Sequence, residues 1–244
     1  PRALPRPPAP APRDSIRRQR QMCIRDRVTA DTLDDPLVDG LVASDLPTVL
    51  IGHRHSDSSA SYVDIHNERA AEQVVDHLIS LGRTRIGHIA GRPGGTSAEE
   101  RLTGYLRAMQ RAGLETEGLV YRGDYLFQSG RDGAAFLVEA GVDAIFAASD
   151  TMALGALHEL GDRDLSVPRD IAVAGFDDVV VAAESAPPLT TMRQDTRLLG
   201  LEAAHTLFRL LNHDDALPQR VILPTELLIR QSSVGSMTRT DPTT

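Results

Sequence analysis

The stretch from Asp143 to Asp178, DAIFAASDTMALGALHELGDRDLSVPRDIAVAGFDD, decides the fold. Two apolar runs, Asp143–Ala148 and Ile171–Gly175, each have the length of a strand buried on both faces. Between them Met152, Ala153, Ala156, Leu157 and Leu160 recur at helical spacing, and Gly161 supplies a stop. Strand, helix and strand make one right-handed βαβ unit of a parallel sheet. Each strand ends in short polar residues, Ser149-Asp150 and Asp177-Asp178. Ligands of open α/β sheets sit at the carboxyl edge of the strands, so these pairs stand at the mouth of an expected cleft.

Outward from this unit the same alternation continues. Upstream, Val28–Ala30 reads as the tail of a strand, a short helix runs through Leu41, and Leu46–Gly52 and Ser61–Ile65 read as strands. Ala70, Ala71, Val74, Val75 and Leu78 mark an amphipathic helix closed by Gly82, and Arg85–Ala90 is the next strand. Ser97-x-x-Glu100 has the pattern of a capping box at the head of a helix carrying Leu102, Tyr105, Leu106 and Met109. Gly118–Arg122 is a short strand, and Gln128–Ala140 a helix weakened by Gly130 and Gly133. Downstream come a brief helix near Val179–Glu184, a strand at Leu189–Arg193 and a strong helix carrying Leu198, Leu199, Ala203, Leu207 and Leu210. Val221–Arg230 is a last extended run, and residues 236–244 read as a disordered tail. β-α-β-α alternation means a doubly wound parallel fold, in one sheet or two.

Composition narrows the function classes. The chain has 244 residues and a formal charge of −8. Its basic residues are unevenly spread, because residues 1–27 hold eight Arg against two Asp and leave the rest strongly acidic. An acidic body is a poor match for nucleic acid on its own. No apolar run approaches membrane-spanning length, so a soluble protein is expected. Cys23 is the single cysteine, which excludes an internal disulfide and fits a reducing compartment. All 26 basic residues are Arg, a mark of GC-rich coding rather than of function.

The Pro- and Arg-rich segment 1–20 cannot form a packed core. The heptapeptide Gln21–Arg27, QMCIRDR, resembles the conceptual translation of a sequencing-library adapter. Residues 1–27 are therefore read as disordered and non-native, against the alternative of a natural basic arm, and are set aside.

Six motifs, in order, carry a family resemblance. They are Asp76-His77-Leu78-x-x-Leu81-Gly82 with Arg85-Ile86, then Arg101-Leu102-x-Gly104-Tyr105, then Ala148-Ser149-Asp150-x-Met152-Ala153-x-Gly155-Ala156. Val167-Pro168-x-Asp170-Ile171-Ala172-Val173-x-Gly175-Phe176-Asp177-Asp178 follows. Pro187-Pro188-Leu189-Thr190-Thr191-x-x-Gln194-Asp195 and Ile229-Arg230-x-Ser232-Ser233 complete the series. Over roughly residues 28–235 the chain resembles the ligand-binding region of the LacI/GalR (lactose/galactose repressor) family, which is built like periplasmic sugar-binding proteins.

That resemblance implies two doubly wound parallel-sheet subdomains joined by three crossovers, with an effector bound between them. Here the crossovers are expected near Gly91, near Gln194 and near Leu217–Leu223. The N-terminal subdomain is then 28–91 with 195–220, and incomplete, and the C-terminal one is 92–194 with 221–235. The implied function is a cytoplasmic, homodimeric, sugar-responsive repressor that reads operator DNA through a helix-turn-helix headpiece outside this sequence. The effector is a sugar or a related polyol or nucleoside, and the rival reading is an extracytoplasmic sugar-binding protein of a transport system.

A polyol offers hydroxyls that donate and accept, so its site needs fixed carboxylates, amides and guanidinium groups. Asp177 suits this, or else an Asx turn; Arg101 suits it, or else a solvated helix position. Ser149 is read as a ligand contact and Asp150 as the cap of the following helix. Gln194 reaches either ligand or crossover backbone, and Tyr125 is either an aromatic platform or ordinary packing. His66 departs from the family's usual Asp-Asn pair, which leaves sugar identity open. Leu154 lies off its helix's buried stripe, and the resemblance makes it a dimer contact. His53-x-His55 lacks the partners of a metal site. No G-x-S-x-G elbow, phosphate loop or dinucleotide fingerprint is present, so neither an enzyme nor a cofactor is expected.

Overall fold

The alternating strands and helices resolve into two parallel sheets in the computed structural model, which describes residues 38, 40, 41, 43, 44, 46–52, 60–212 and 218–234. The expectations for residues 1–37, for His53-x-His55 and for the tail 236–244 lie outside the described residues.

The smaller sheet has the order β1-β2-β8, with β1 at Val49–Ile51, β2 at Ser61–Ile65 and β8 at Arg220–Leu223, all parallel. The larger has the order β4-β3-β5-β6-β7-β9. Its strands are β3 (Ile86–Ala90), β4 (Val120–Arg122), β5 (Ala144–Ala147), β6 (Ala172–Asp177), β7 (Thr190–Gln194) and β9 (Thr225–Leu228). All are parallel except β9, which runs antiparallel along β7. Helices cover both faces of this sheet, so β3, β5 and all but the last residue of β6 are fully buried, as their unbroken apolar runs require.

On one face lie α1 (Asn67–Ser80) and α2 (Thr96–Arg111). Ala70, Ala71, Val74, Val75 and Leu78 of α1 are all buried in a core shared with Tyr105, Met109, Phe146 and Phe176. On the other face lie α3 (Phe127–Glu139) and α4 (Asp150–Asp162), around Leu137, Ile145, Met152, Leu160 and Val173. Gly130, which weakens α3 in isolation, has a packing reason: a Cβ there would stand 2.1 Å from the Met152 carbonyl oxygen. The short α5 (Val180–Glu184) follows β6, α6 (Thr196–Leu211) covers β1 and β2, and α7 (Gln231–Val234) closes against β6.

The chain passes between the sheets at three places: between Ile65 and Asn67, between Gln194 and Thr196, and between Leu223 and Thr225. The first differs from the passage expected near Gly91. β3 needs a hydrogen-bonded neighbour on each edge, and it finds β4 and β5 in the larger sheet. Residues 66–91 therefore belong with the larger sheet, and 221–223 with the smaller. Val221–Arg230 is not one strand but two, split at Pro224, where a missing N–H interrupts the ladder. The capping box also fails to form. Gly95 leads α2 without a side-chain cap, while Ser97 and Glu100 turn to tertiary partners, Tyr125 and Asn67.

One buried polar group sets an acid limit on this core. The His88 ring stacks between Tyr105 and Phe146, with centroids 5.0 and 4.7 Å away, and its Nδ1 bonds the Phe146 carbonyl at 2.9 Å. Among the described residues Nε2 is buried without a partner, and burial lowers the imidazole pKa to about 4. Because the folded value lies below the unfolded value of 6.5, stability is full above that pH and falls as pH drops towards 4. The whole loss is about 3 kcal/mol. Urea unfolding of the wild type from pH 7 to pH 4.5 should show this slope, and His88→Leu should flatten it by close to one proton.

Candidate functional site

The first turns of α2 carry Arg101 over the carboxyl ends of β5 and β6. It is 5% exposed, and its guanidinium is held from four directions. Nε donates to Asn67 Oδ1 at 2.9 Å, and one terminal nitrogen donates to the Ala148 carbonyl at 2.6 Å. The same nitrogen lies 3.6 Å from Asp177 Oδ1, and the guanidinium carbon stands 3.6 Å from the centroid of the Phe176 ring. A buried cation is tolerated where Nε, one terminal nitrogen and its flat face are occupied in this way.

Asp177 ends β6 and also accepts from Gln194 Nε2 at 2.6 Å. Burial pushes its carboxyl above the ordinary range, and Arg101 and Gln194 pull the other way. Its side chain keeps 25% exposure, so the carboxylate has an open side. Asn67 in turn donates from Nδ2 to Glu100 Oε2 at 3.0 Å. A continuous polar chain thus runs from the first sheet-to-sheet passage, at Asn67, through Arg101 and Asp177 to the second, at Gln194.

Of the residues expected from sequence, the structure brings together Arg101, Asp177 and Gln194. His66 is exposed at the start of α1 and lines two hollows there. One, of about 380 Å3, is shared with Glu68, Arg69, Glu72, Glu100 and Arg107. The other, of about 220 Å3, opens towards Leu223, Pro224 and Thr225 at the third passage. Tyr125 adopts a positive φ of 71°, lays its ring against Gly91 and places its hydroxyl 3.2 Å from Ser97 Oγ, one turn before Arg101. Leu154 is partly exposed on α4.

The cap expected of Asp150 falls to Ser149. Ser149 Oγ accepts from the Met152 N–H at 3.3 Å and so caps α4. Asp150 is fully buried as the first residue of that helix, and spans to β7 and the end of β6. It accepts from Thr191 Oγ1 at 2.6 Å and from the Val179 N–H at 2.9 Å. Burial, with Asp177 and Asp178 nearby, raises it to about 7 against the two hydrogen bonds. Asp178 feels burial too, but Arg193 and Arg230 outweigh it and hold the carboxyl below the ordinary range. Asp150 and Asp178 are legible from sequence as strand-end residues at the expected cleft, but Asn67 and Phe176, and the joining of all four into one assembly, are not. The available signal was position, since all four flank strand ends or a sheet-to-sheet passage.

Residues 75–233 match the family model described as a periplasmic binding protein-like domain. The chain belongs to that family. Its relatives are LacI-family transcriptional regulators. It is 39% identical over 204 residues to the HTH-type transcriptional regulator CelR of Thermobifida fusca, covering 82% of this chain and 60% of that one. It is 34% identical over 191 residues to the ribose operon repressor of Escherichia coli K12, covering 77% and 58%. Among solved structures, a CelR–cellobiose complex superposes with a TM-score of 0.79 at 38% identity, over 83% of this chain and 63% of that one. A LacI-family regulatory protein from Chloroflexus aggregans gives 0.81 at 30% identity, over 90% and 81%. The chain spans about 60% of the length of its curated relatives. Among the described residues no helix is long and apolar enough to cross a membrane.

Arg101 is expected to be structurally costly to remove. Arg101→Met should destabilise the protein by about 2–3 kcal/mol, because Asp177, Asn67 and the Ala148 carbonyl lose a charged partner. Combining it with Asp177→Asn should cost less than the two single losses together, as measured by urea denaturation at pH 7.

Proposed function

We propose that this chain is the effector-binding part of a DNA-binding transcriptional repressor, taking a sugar between its two sheets. The observation that carries the reading is the Arg101–Asp177–Gln194 assembly. A partly exposed carboxylate backed by a fixed guanidinium and an amide can bridge vicinal hydroxyls, and it stands where the chain crosses from one sheet to the other. The assembly belongs to the larger layer and lies beside the first and second passages, so a ligand held there is closed over by the smaller layer, and closure and binding become one event. The likeness to a CelR–cellobiose complex supports a neutral saccharide as the effector class. His66, Tyr125 and Ser149 complete the proposed contact set at its margins.

The site binds and does not transform. Asp177 is engaged by Arg101 and Gln194, which suits a hydrogen-bonding contact to a ligand rather than a nucleophile or general base. We further assign the whole protein to the cytoplasm as a homodimer, with operator contacts made by a headpiece outside this sequence. Exposed apolar side chains on α3 and α5 support dimerisation. Phe127 is 42% exposed, and Val180 and Val181 of α5 are 79% and 55% exposed. Leu154 lies one helical turn beyond Asp150, whose carboxylate holds the start of α5. Coupling to DNA requires that effector favour one arrangement of the two layers over the other.

Two measurements check this reading. Calorimetric titration with cellobiose, maltose and ribose should find at least one binder, and Asp177→Asn should weaken it about tenfold to a hundredfold. That range is what loss of a charged hydrogen bond, roughly 1.5–3 kcal/mol, implies. Absence of binding by all three, or an indifferent Asp177→Asn, contradicts the proposal. Sedimentation should show a dimer that Leu154→Asp converts to monomer.

A further inference from the structure

The turn that presents Asp177 is held from beneath. Asp177 has φ 118° and Asp178 has φ 60°, two successive non-glycine residues in left-handed backbone. Such conformations cost on the order of 1–3 kcal/mol each and persist only where neighbours impose them. Three restraints converge on three consecutive residues. Gln194 binds the Asp177 carboxylate. Arg193 Nε and an Arg230 terminal nitrogen bind the Asp178 carboxylate at 2.8 and 2.7 Å. Asp150 takes the backbone itself, accepting from the Val179 N–H at 2.9 Å.

The Asp150 carboxylate is fitted to this one position. Its other oxygen accepts from Thr191 Oγ1 on β7, three residues before Gln194. That oxygen lies so near β6 that a Cβ on Gly175 would stand 2.3 Å from it. Asp150 therefore clamps α4, β6 and β7 at the point where β6 turns into its acidic tip, yet it is fully buried and reaches no solvent in the cleft.

We infer that Asp150 is a positioning residue for effector binding: through the Val179 N–H and the Thr191 hydroxyl it fixes the left-handed turn that aims Asp177 at Arg101. The inference rests on the proposed role of Asp177 as an effector contact. The neutral amide of Asp150→Asn can reproduce both bonds, its oxygen accepting from Val179 and its nitrogen donating to Thr191 Oγ1. With burial raising the acid to about 7, the protonated acid, which the amide mimics, is itself well populated near neutrality. Alanine can do neither.

The test uses the full chain and whichever of cellobiose, maltose and ribose binds tightest. Asp150→Ala is expected to weaken binding at least tenfold at unchanged stoichiometry, and Asp150→Asn to stay within about threefold of wild type. Asp150→Ala/Asp177→Asn should bind no worse than Asp177→Asn alone, because both changes remove the same contact. If Asp150→Ala does not fold, Thr191→Val, which removes one of the two bonds, should give a smaller loss of affinity. A crystal structure of Asp150→Ala, or of Thr191→Val in that case, should show Asp177 relaxed towards negative φ. A lowered melting temperature with unchanged affinity, losses that add, or an unmoved turn would each overturn the inference. If Asp177→Asn weakens binding and Asp150→Ala does not, the inference alone fails. If Asp177→Asn has no effect, the effector reading of Asp177 fails first and takes the inference with it.

Discussion

Burying the Arg101 guanidinium is the constraint around which the larger layer is arranged. A cation 5% exposed would be costly in an apolar interior, by several kcal/mol even after relaxation. The fold compensates with an amide from the first residue of α1, a carbonyl at the end of β5, a carboxylate at the end of β6 and an aromatic face beneath. The partners come from the start of α1 and the ends of β5 and β6, so the ion, carried on α2, holds two helices and two strand ends in register. The arrangement also leaves Asp177 with one side open, and that combination of rigidity and access is what a binding site needs.

The acidic residues at the strand ends divide the work by environment. Asp178 is held ionised by two arginines, Asp150 is buried and raised to about 7, and Asp177 is raised while facing the cleft. Three carboxyl groups within one turn of chain and one helix start would repel if all carried full charge unpaired. Instead one is neutralised by Arg193 and Arg230, one shares Arg101, and one holds hydroxyl and backbone donors. The β6 tip is thereby fixed by hydrogen bonds rather than by apolar packing. It can present polar atoms to a ligand without needing a loop long enough to be mobile.

What the sequence made legible follows from local physics. The βαβ unit of β5, α4 and β6 is readable because apolar runs of strand length flank a helical stripe, whereas Arg101, Asp177 and Gln194 are singled out as ligand contacts only through the family resemblance, and the structure sets them side by side. What was not legible depends on partners distant in the chain. Alternation of strands and helices does not say which sheet a strand joins, so β3 reads as part of the smaller layer although it pairs in the larger, and Val221–Arg230 reads as one extended run although Pro224 separates two strands. Ser149 and Asp150 are both able to cap a helix; only the burial of Asp150 against Thr191 and Val179 decides between them. Ser97 and Glu100 had capping-box spacing, but Tyr125 and Asn67 compete for their side chains and win.

The central claim is that the two layers grip a small polyol at Asp177 and Arg101. A crystal structure of the chain grown with cellobiose, or with the tighter of maltose and ribose if cellobiose does not bind, tests it most directly. The account predicts sugar density between the layers, with hydroxyls within hydrogen-bond distance of the Asp177 carboxylate and the Arg101–Gln194 side of the cleft. Density lodged elsewhere, with Asp177 still bonded only to Arg101 and Gln194, would contradict it.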